Sequence, residues 1–371
     1  MITLKSIIPH IYRYPLETPV QTSFGIMADR PMLLVRIEDT EGYVGWGEVW
    51  CNFPSVGAEH RAKLIDTVIS QILMSREFNS STDVFDTLTR KTWVLGIQSG
   101  EYGPLAQCIA GIDIAVHDLI GKKLDLPIWK MLGGKTDTIP VYASGINPNQ
   151  AKEMAQTAMD VGINNLKLKI GFGDDIDLNN LSKLRELIGP NAKLMADVNQ
   201  GWSVNEACSK ITKLEKFNLY WLEEPIAADR PLREWQVLKN SSQVPLAGGE
   251  NIVGVKDFKA AIKKGVFSYI QPDLAKWGGF TQCVPIARSI NLADLTYCPH
   301  YLGGGLGLIA SGHALAAVGG SGMLEVDLNE NPLRTELISD LLKPKNGTAT
   351  LGTLPGLGIE PNLSKIARYK V

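Results

Sequence analysis

From residue 139 onward the chain repeats one unit: a short apolar run, a polar residue at its end, then a stretch with helical apolar spacing. The runs fall at 139–143, 165–170, 193–196, 220–222, 245–247, 267–270, 295–298 and 323–324. The intervening helical patterns lie at 149–161, 175–188, 205–217, 232–238, 255–263, 280–290 and 306–318. Strands separated by helix-length crossovers pair in parallel, because tight turns join only antiparallel neighbours. Eight such strands predict a parallel (β/α) barrel. A doubly wound open sheet is the rival, but the Gly-rich phosphate turn after its first strand is missing here.

The first third has a different rhythm. Met32–Ile37 is apolar and β-branched, Glu41-Gly42 marks a turn, and Tyr43–Val49 alternates again, a hairpin signal. Helical patterns follow at 58–74, 82–89 and 104–122. Strands then helices predict an α+β unit. The 371 residues also exceed the roughly 250–300 at which a single core stops growing. The expected organisation is an α+β cap over 1–125, the barrel over 126–328, and a Gly/Pro-rich tail over 329–371 packing back on the cap.

A net charge of -2 carries no field of one sign, so nucleic acid is not an expected partner. Five cysteines without a CxxC pair read as reduced thiols of a cytoplasmic protein. Residues 1–6 lack a basic stretch leading into an apolar run, and no run of about 18 apolar residues occurs, so neither a signal peptide nor a membrane span is expected.

Barrel chemistry gathers at the C-terminal strand ends. In this chain seven of the eight runs end on ionisable groups: Lys167 and Lys169, Asp197, Glu223-Glu224, Glu250, Asp273 with Lys276 just after, His300, and Glu325. Carboxylates on three neighbouring strands, Asp197, Glu223 and Glu250, repel each other unless a cation lies between them. An all-oxygen set favours Mg²⁺. Alternation lets only one of Glu223 and Glu224 face that cation. Lys167 and Lys169 share one face of their strand, and two adjacent ammonium groups are expected to depress each other's pKa, making one a base. Asp273 and His300, on adjacent strands, suggest an imidazole held in one tautomer by a carboxylate. Glu325 is left without a cation in this scheme and is expected to be protonated, donating to a developing oxyanion.

These residues resemble the enolase superfamily and, within it, the mandelate racemase subgroup. The likeness spans nearly the whole chain: Gly45-Trp-Gly-Glu48, Lys167-Leu-Lys169, Asp197-Val-Asn199-Gln200, Glu223-Glu-Pro225, Gly249-Glu-Asn251, Pro272-Asp273, Lys276-x-Gly278-Gly279, Pro299-His300, Leu324-Glu325 and Leu354-Pro-Gly-Leu-Gly358. The muconate-cycloisomerase-like branch carries lysine where this chain has Asp273, which favours the racemase-type branch. The resemblance implies a modified TIM barrel, (β/α)7β, under an α+β cap completed by the C-terminal tail. It implies that Glu223 is the ligand of its pair, so that Asp197, Glu223 and Glu250 hold one Mg²⁺ on the substrate carboxylate. Lys167 would neutralise a carboxylate oxygen, Lys169 would be one base, His300 oriented by Asp273 the other, and Glu325 a partner of the enolate oxygen.

The implied activity is removal of the α-proton of a small carboxylate by a homo-oligomeric enzyme. Dehydration of a hydroxylated sugar acid is the first expectation, racemisation or epimerisation the alternative, and a non-catalytic member of the fold a third. The enolate chemistry of this superfamily on Mg²⁺ with Lys or His bases is a known pattern. In this family cap segments set specificity. The candidates here are Thr18–Arg30 and Trp50–Val56, the second with Trp50, Asn52 and Phe53. Asn199, Lys276, Trp202 and Tyr301 are the candidate substrate contacts from the barrel. The run Gly303–Gly307 is expected to let backbone approach a ligand.

Overall fold

The computed structural model describes residues 1–22, 25–338 and 344–371. Its first sheet is antiparallel. Strand β1 (Ile2–Thr22) pairs with β2 (Gly25–Asp39), with β3 (Val44–Val49) on the far side of β2 and β4 (Glu77–Phe78) beside β1. The expected cap loop over 18–30 is mostly the tip of this hairpin, where Val20 pairs with Met27 and Thr22 with Gly25; Ser23 and Phe24 lie outside the described residues.

The run Met32–Ile37 is continuously apolar because β2 is covered on both faces. Leu33, Val35 and Ile37 pack into the cap core, whereas Met32 and Leu34 join the barrel core. The helix Tyr102–Leu124 lies directly on β3. A Cβ on Gly45 would sit 2.1 Å from the Ala115 carbonyl oxygen, and one on Gly47 would sit 2.1 Å from that of Gly111. Those two glycines thus let helix and strand backbones touch. By length and hydropathy this helix could cross a bilayer, but its most apolar window is 78% buried inside the protein.

The second sheet carries the expected repeat. Strands β5 (Thr138–Ile146), β6 (Leu166–Lys169), β7 (Leu194–Asp197), β8 (Trp221–Glu223), β9 (Leu246–Gly248), β10 (Tyr269–Ile270), β11 (Thr296–Tyr297) and β12 (Leu324–Asp327) match all eight runs. They pair in parallel, in the order β11-β10-β9-β8-β7-β6-β5-β12. Among the described residues no ladder joins β11 to β12, so the ring has a seam there. Side chains alternate across each strand. Tyr142, Met195, Trp221, Ala247, Cys298 and Met323 meet as a buried cluster inside the ring. Two residues further along the same strands, on the same face, stand Ser144, Asp197, Glu223, His300 and Glu325.

The tail divides its contacts. Strand β13 (Thr348–Thr350) pairs antiparallel with β5 of the barrel. The last residues reach the cap, with Lys370 bridged to Tyr12 and the Val371 amide donating to Ile11 at 3.1 Å. Packing on the cap alone is therefore too simple for 329–371: its middle extends the barrel sheet. Residues 339–343 lie outside the described ones.

Candidate active site

The strand ends surround a cavity of about 280 Å³ under the cap. Lys169, Asn199, Glu250, Lys276, His300 and Glu325 line it from the barrel, and Trp50 and Phe53 from the cap. Lys167, Asp197, Glu223 and Asp273 stand beneath, each at most 2% exposed. Asp197 is in register with Lys169 on one side and Glu223 on the other.

Every one of the three expected ligand acids is held by a cation. Glu223 accepts from Lys167 Nζ at 2.6 Å, Asp197 from Lys169 Nζ at 2.5 Å, and Glu250 lies 2.7 Å from His300 Nε2 and 3.2 Å from Lys276 Nζ. With the side chains engaged in this way, no three His, Cys, Asp or Glu groups among the described residues converge as a metal cage. The donor chemistry nevertheless fits a hard divalent ion. Five buried acids (Asp197, Glu223, Glu224, Asp273, Glu325) and the partly buried Glu250 interact with only four cationic groups (Lys167, Lys169, Lys276, His300). The acids outnumber the cations, and burial with this crowding holds Glu224 well above the ordinary carboxylate range. The crowding is also visible at Glu223, whose carboxyl is pushed up to about 7 by burial and by Asp197 and Glu325, against Lys167.

Two electrostatic expectations are corrected. Burial works against the ammonium of Lys167, yet Glu223 and Glu325 hold it well above its ordinary value. For Lys169, burial and Lys167 both oppose the charge, but Asp197 outweighs them and the net shift is upward. The lysines do not neutralise each other in this arrangement, because each has its own carboxylate. Glu325 also shifts opposite to the expectation. It lies 2.8 Å from Lys167 Nζ, and Lys167 and His300 together overcome its burial and lower its pKa. The expected histidine pair is present: His300 Nδ1 lies 2.8 Å from Asp273 Oδ2. Burial opposes the imidazolium, but Glu250 and Glu325 raise it well above the ordinary histidine value.

Among the candidate substrate contacts, Trp50 stacks near Phe53 at 6.4 Å and carries Lys276 Nζ 5.1 Å from its ring centre. The Asn199 amide donates to Asp197 Oδ1 at 2.8 Å from a left-handed backbone, φ +48°. Trp202 and Tyr301 are not on the cavity wall. Trp202 is buried in the barrel core, with Lys210 over its ring. Tyr301 turns away and donates its hydroxyl to Glu48 at 2.5 Å. The Gly303–Gly307 run serves the same contact: a Cβ on Gly304 would strike Met32 Sδ at 2.4 Å, and one on Gly307 the Tyr301 hydroxyl at 2.2 Å. These glycines admit protein side chains where a ligand was expected.

Sequence reasoning missed Asn147, Asp327 and Asn329 on the cavity wall, and reached Arg30 only as the last residue of a candidate cap segment. Asp327 was findable, since it follows Glu325 by two residues and must share its face. Glu48 was noted in a motif and given no role, although it ties the cap to the segment after His300.

A parallel barrel with a cap over its C-terminal mouth, and paired acids and bases at that mouth, defines an enzyme class built for proton transfer on a small enclosed substrate. Residues 150–365 match the enolase C-terminal domain-like family, and residues 8–133 match the mandelate racemase/muconate lactonizing enzyme N-terminal domain. The chain therefore belongs to the enolase superfamily, mandelate racemase subgroup, whose members are lyases and isomerases. It is 30% identical to D-galactarolactone cycloisomerase of Agrobacterium fabrum, over 98% of this chain and 97% of that protein. It is 28% identical to arabinonate dehydratase of Saccharolobus solfataricus, over 93% and 92%. Among solved structures, a mandelate racemase/muconate lactonizing enzyme from Bordetella bronchiseptica RB50 superposes with a TM-score of 0.93 at 47% identity, covering 99% of each chain. A racemase from Streptomyces coelicolor A3(2) with bound magnesium superposes with a TM-score of 0.88 at 26% identity, covering 99% of this chain and 100% of that one.

Proposed function

We propose that this enzyme removes the α-proton of a hydroxylated carboxylic acid and then expels water from the neighbouring carbon, as a sugar-acid dehydratase. The observation that carries the reading is that two proton-transfer groups line one cavity from strands far apart in the ring, Lys169 on β6 and His300 just past β11. Lys169, as its neutral amine and so with its Asp197 contact broken, takes the proton on one face. His300, oriented by Asp273, delivers its own proton to the departing hydroxyl on the other. Lys167 and Glu325 border the acid group, where Lys167 spreads the charge that develops on the enolate oxygen. Asp197, Glu223 and Glu250 would hold Mg²⁺, which supplies Lewis-acid polarisation of the substrate carboxylate when bound. The magnesium-bound racemase neighbour supports that metal, and the two curated relatives support a sugar-acid substrate.

Facing bases also suit inversion at the α-carbon, and the racemase neighbour favours that second reading. The reading carries with it a small-molecule carboxylate as partner, no nucleic acid, and a cytoplasmic homo-oligomer. Exposed apolar side chains on the helix Ser81–Ser99, including Trp93 at 59% and Val94 at 63%, support oligomerisation. Light scattering in solution checks that point, and a monomer at micromolar concentration contradicts it. The function itself is tested by incubating the Mg²⁺-loaded protein in deuterated water with a panel of sugar acids. Deuterium incorporation with loss of water supports dehydration, and incorporation with stereoinversion supports the racemase. Metal binding with no exchange on any acid would leave only the non-catalytic alternative.

A further inference from the structure

Beyond the proton-transfer groups, the cavity has a second charged wall. Arg30, on β2 of the cap, is 4% exposed and lines the cavity. Its Nη2 donates to Asp327 Oδ2 at 3.3 Å, its Nη1 meets only the Met27 sulfur at 3.4 Å, and its Nε–H has no partner among the described residues. Asp327 has no capacity left for a second Arg30 donor. Oδ2 also receives Arg334 Nη1 at 3.2 Å, while Oδ1 takes the Asn329 side-chain amide at 2.7 Å and its backbone amide at 3.1 Å. Two buried guanidinium groups therefore share one carboxylate, which leaves one positive charge in excess. Guanidinium does not lose its proton in proteins, so the surplus persists. Buried charged donors are ordinarily satisfied, and Arg30 borders the substrate cavity.

The position is informative. Asp327 follows Glu325 on β12 by two residues, on the same face. That step is roughly 6.6 Å along the strand, about the extent of an extended chain of five or six carbons. A ligand with its reacting carboxylate at the Glu325 level would bring its far end to the Arg30 level.

We propose that Arg30 recognises a second carboxylate at the far end of the substrate, so that the preferred substrates are hydroxylated diacids and not their monoacid counterparts. The proposal rests on the proton-abstraction reading for the first carboxylate and adds the substrate class. The guanidinium fork supplies paired donors to a carboxylate, and the surplus charge gives an anion an advantage over a terminal hydroxymethyl group. Because Asp327 keeps Arg334 and Asn329, the pair can lose Arg30 without stranding a buried anion.

The test compares diacids with monoacids on wild-type, Arg30→Gln and Arg30→Lys proteins. Calorimetry of the Mg²⁺-loaded proteins uses unreactive pairs of equal chain length, glutarate against pentanoate and adipate against hexanoate. Kinetics uses aldarates against aldonates of matched configuration. The expected wild-type preference for the diacid is about tenfold or more in Kd and in kcat/KM, which corresponds to one added charged contact. Arg30→Gln should bring the ratio to near one, and Arg30→Lys should retain part of it. A wild-type ratio near one, or a ratio unchanged in Arg30→Gln, overturns the proposal. A purely structural Arg30 would weaken both ligand classes together and leave the ratio in place, which also overturns it. If Arg30→Gln does not fold, the ratio in Arg30→Lys decides. The two readings fail separately. Deuterium exchange without diacid preference removes the role of Arg30 alone, whereas diacid preference in calorimetry without exchange on any acid removes the proton-abstraction reading alone.

Discussion

Lys167 and Lys169 look equivalent in the sequence, two residues apart on one strand face, but they differ in depth. The Lys169 side chain is 26% exposed and the Lys167 side chain 1%. Only the outer lysine can meet an α-carbon in the cavity, while the inner one sits between Glu223 and Glu325. Replacing Lys169 with Met, or His300 with Asn, should each lower turnover by about 10²–10⁴-fold, the usual contribution of a positioned acid or base. Each variant should still exchange the α-proton of substrates presented to the remaining base, so chiral substrates resolved by NMR in deuterated water separate the two roles. Equal loss of exchange on both faces in both variants contradicts the two-base arrangement. The sequence put both lysines, His300 and the three acids at the right mouth because strand ends are a local signal. The direction of the lysines' pKa shifts was not legible, since the acid each lysine meets lies on a strand distant in sequence. Tyr301 was misplaced for the same reason: adjacency to a strand end says nothing about a rotamer chosen by Glu48, 253 residues away, while Trp202 is drawn into the barrel core.

Elements were legible in proportion to how locally they are determined. All eight barrel strands follow from the alternation of apolar runs with helical spacing. The strand β1 was not anticipated, because Pro9, Pro15 and Pro19 break its pattern and proline usually argues against a strand. Its pairing with β2 from Leu4 to Pro15 overrides that local signal. The connection between cap and barrel was also invisible. Glu48 on β3 accepts from the Tyr301 hydroxyl at 2.5 Å and from the amides of Gly304 and Gly307 at 2.5 and 3.0 Å, where the helix Gly305–Val318 begins. Burial pushes the Glu48 carboxyl up, and these donors work against that rise. A carboxylate here also suits the positive end of the helix dipole. Glu48→Ala should destabilise the protein by about 2–4 kcal/mol in urea unfolding, through several buried donors left unpaired. It should also lower kcat, because the same segment carries His300. Full activity with unchanged stability would show that the segment is held by other contacts.

At the scale of the molecule, one buried histidine ties three parts of the chain together. His313 Nδ1 accepts from the Trp129 amide at 3.1 Å, which leaves Nε2–H to donate to the Leu357 carbonyl at 3.2 Å, so the neutral ring joins a barrel helix to the tail. Burial lowers its pKa to about 4 from 6.5. A lowered folded-state value means that the unfolded chain binds the proton first. The stabilisation is therefore present above pH 6.5 and is lost as pH falls toward 4, by at most about 3 kcal/mol. Asp118, pushed up to about 6 by burial, acts with the opposite sign over much of that window. The difference between wild type and His313→Gln isolates the histidine: the wild-type advantage in Tm should shrink from pH 7 to pH 4.5, and a constant difference contradicts the linkage. The proposed Mg²⁺ site has a whole-molecule consequence, because its three acids are brought together only in the folded chain. A concentration near 100 times Kd should add about 2.7 kcal/mol to stability. The most direct test of the account is anomalous scattering from crystals soaked in Mn²⁺, a stand-in for Mg²⁺ with the same oxygen preference. The account predicts a single strong peak shared by carboxylate oxygens of Asp197, Glu223 and Glu250, with the ammonium groups of Lys167 and Lys169 displaced from those acids. A peak elsewhere, or none at saturating metal with the lysine–carboxylate pairs intact, would contradict it.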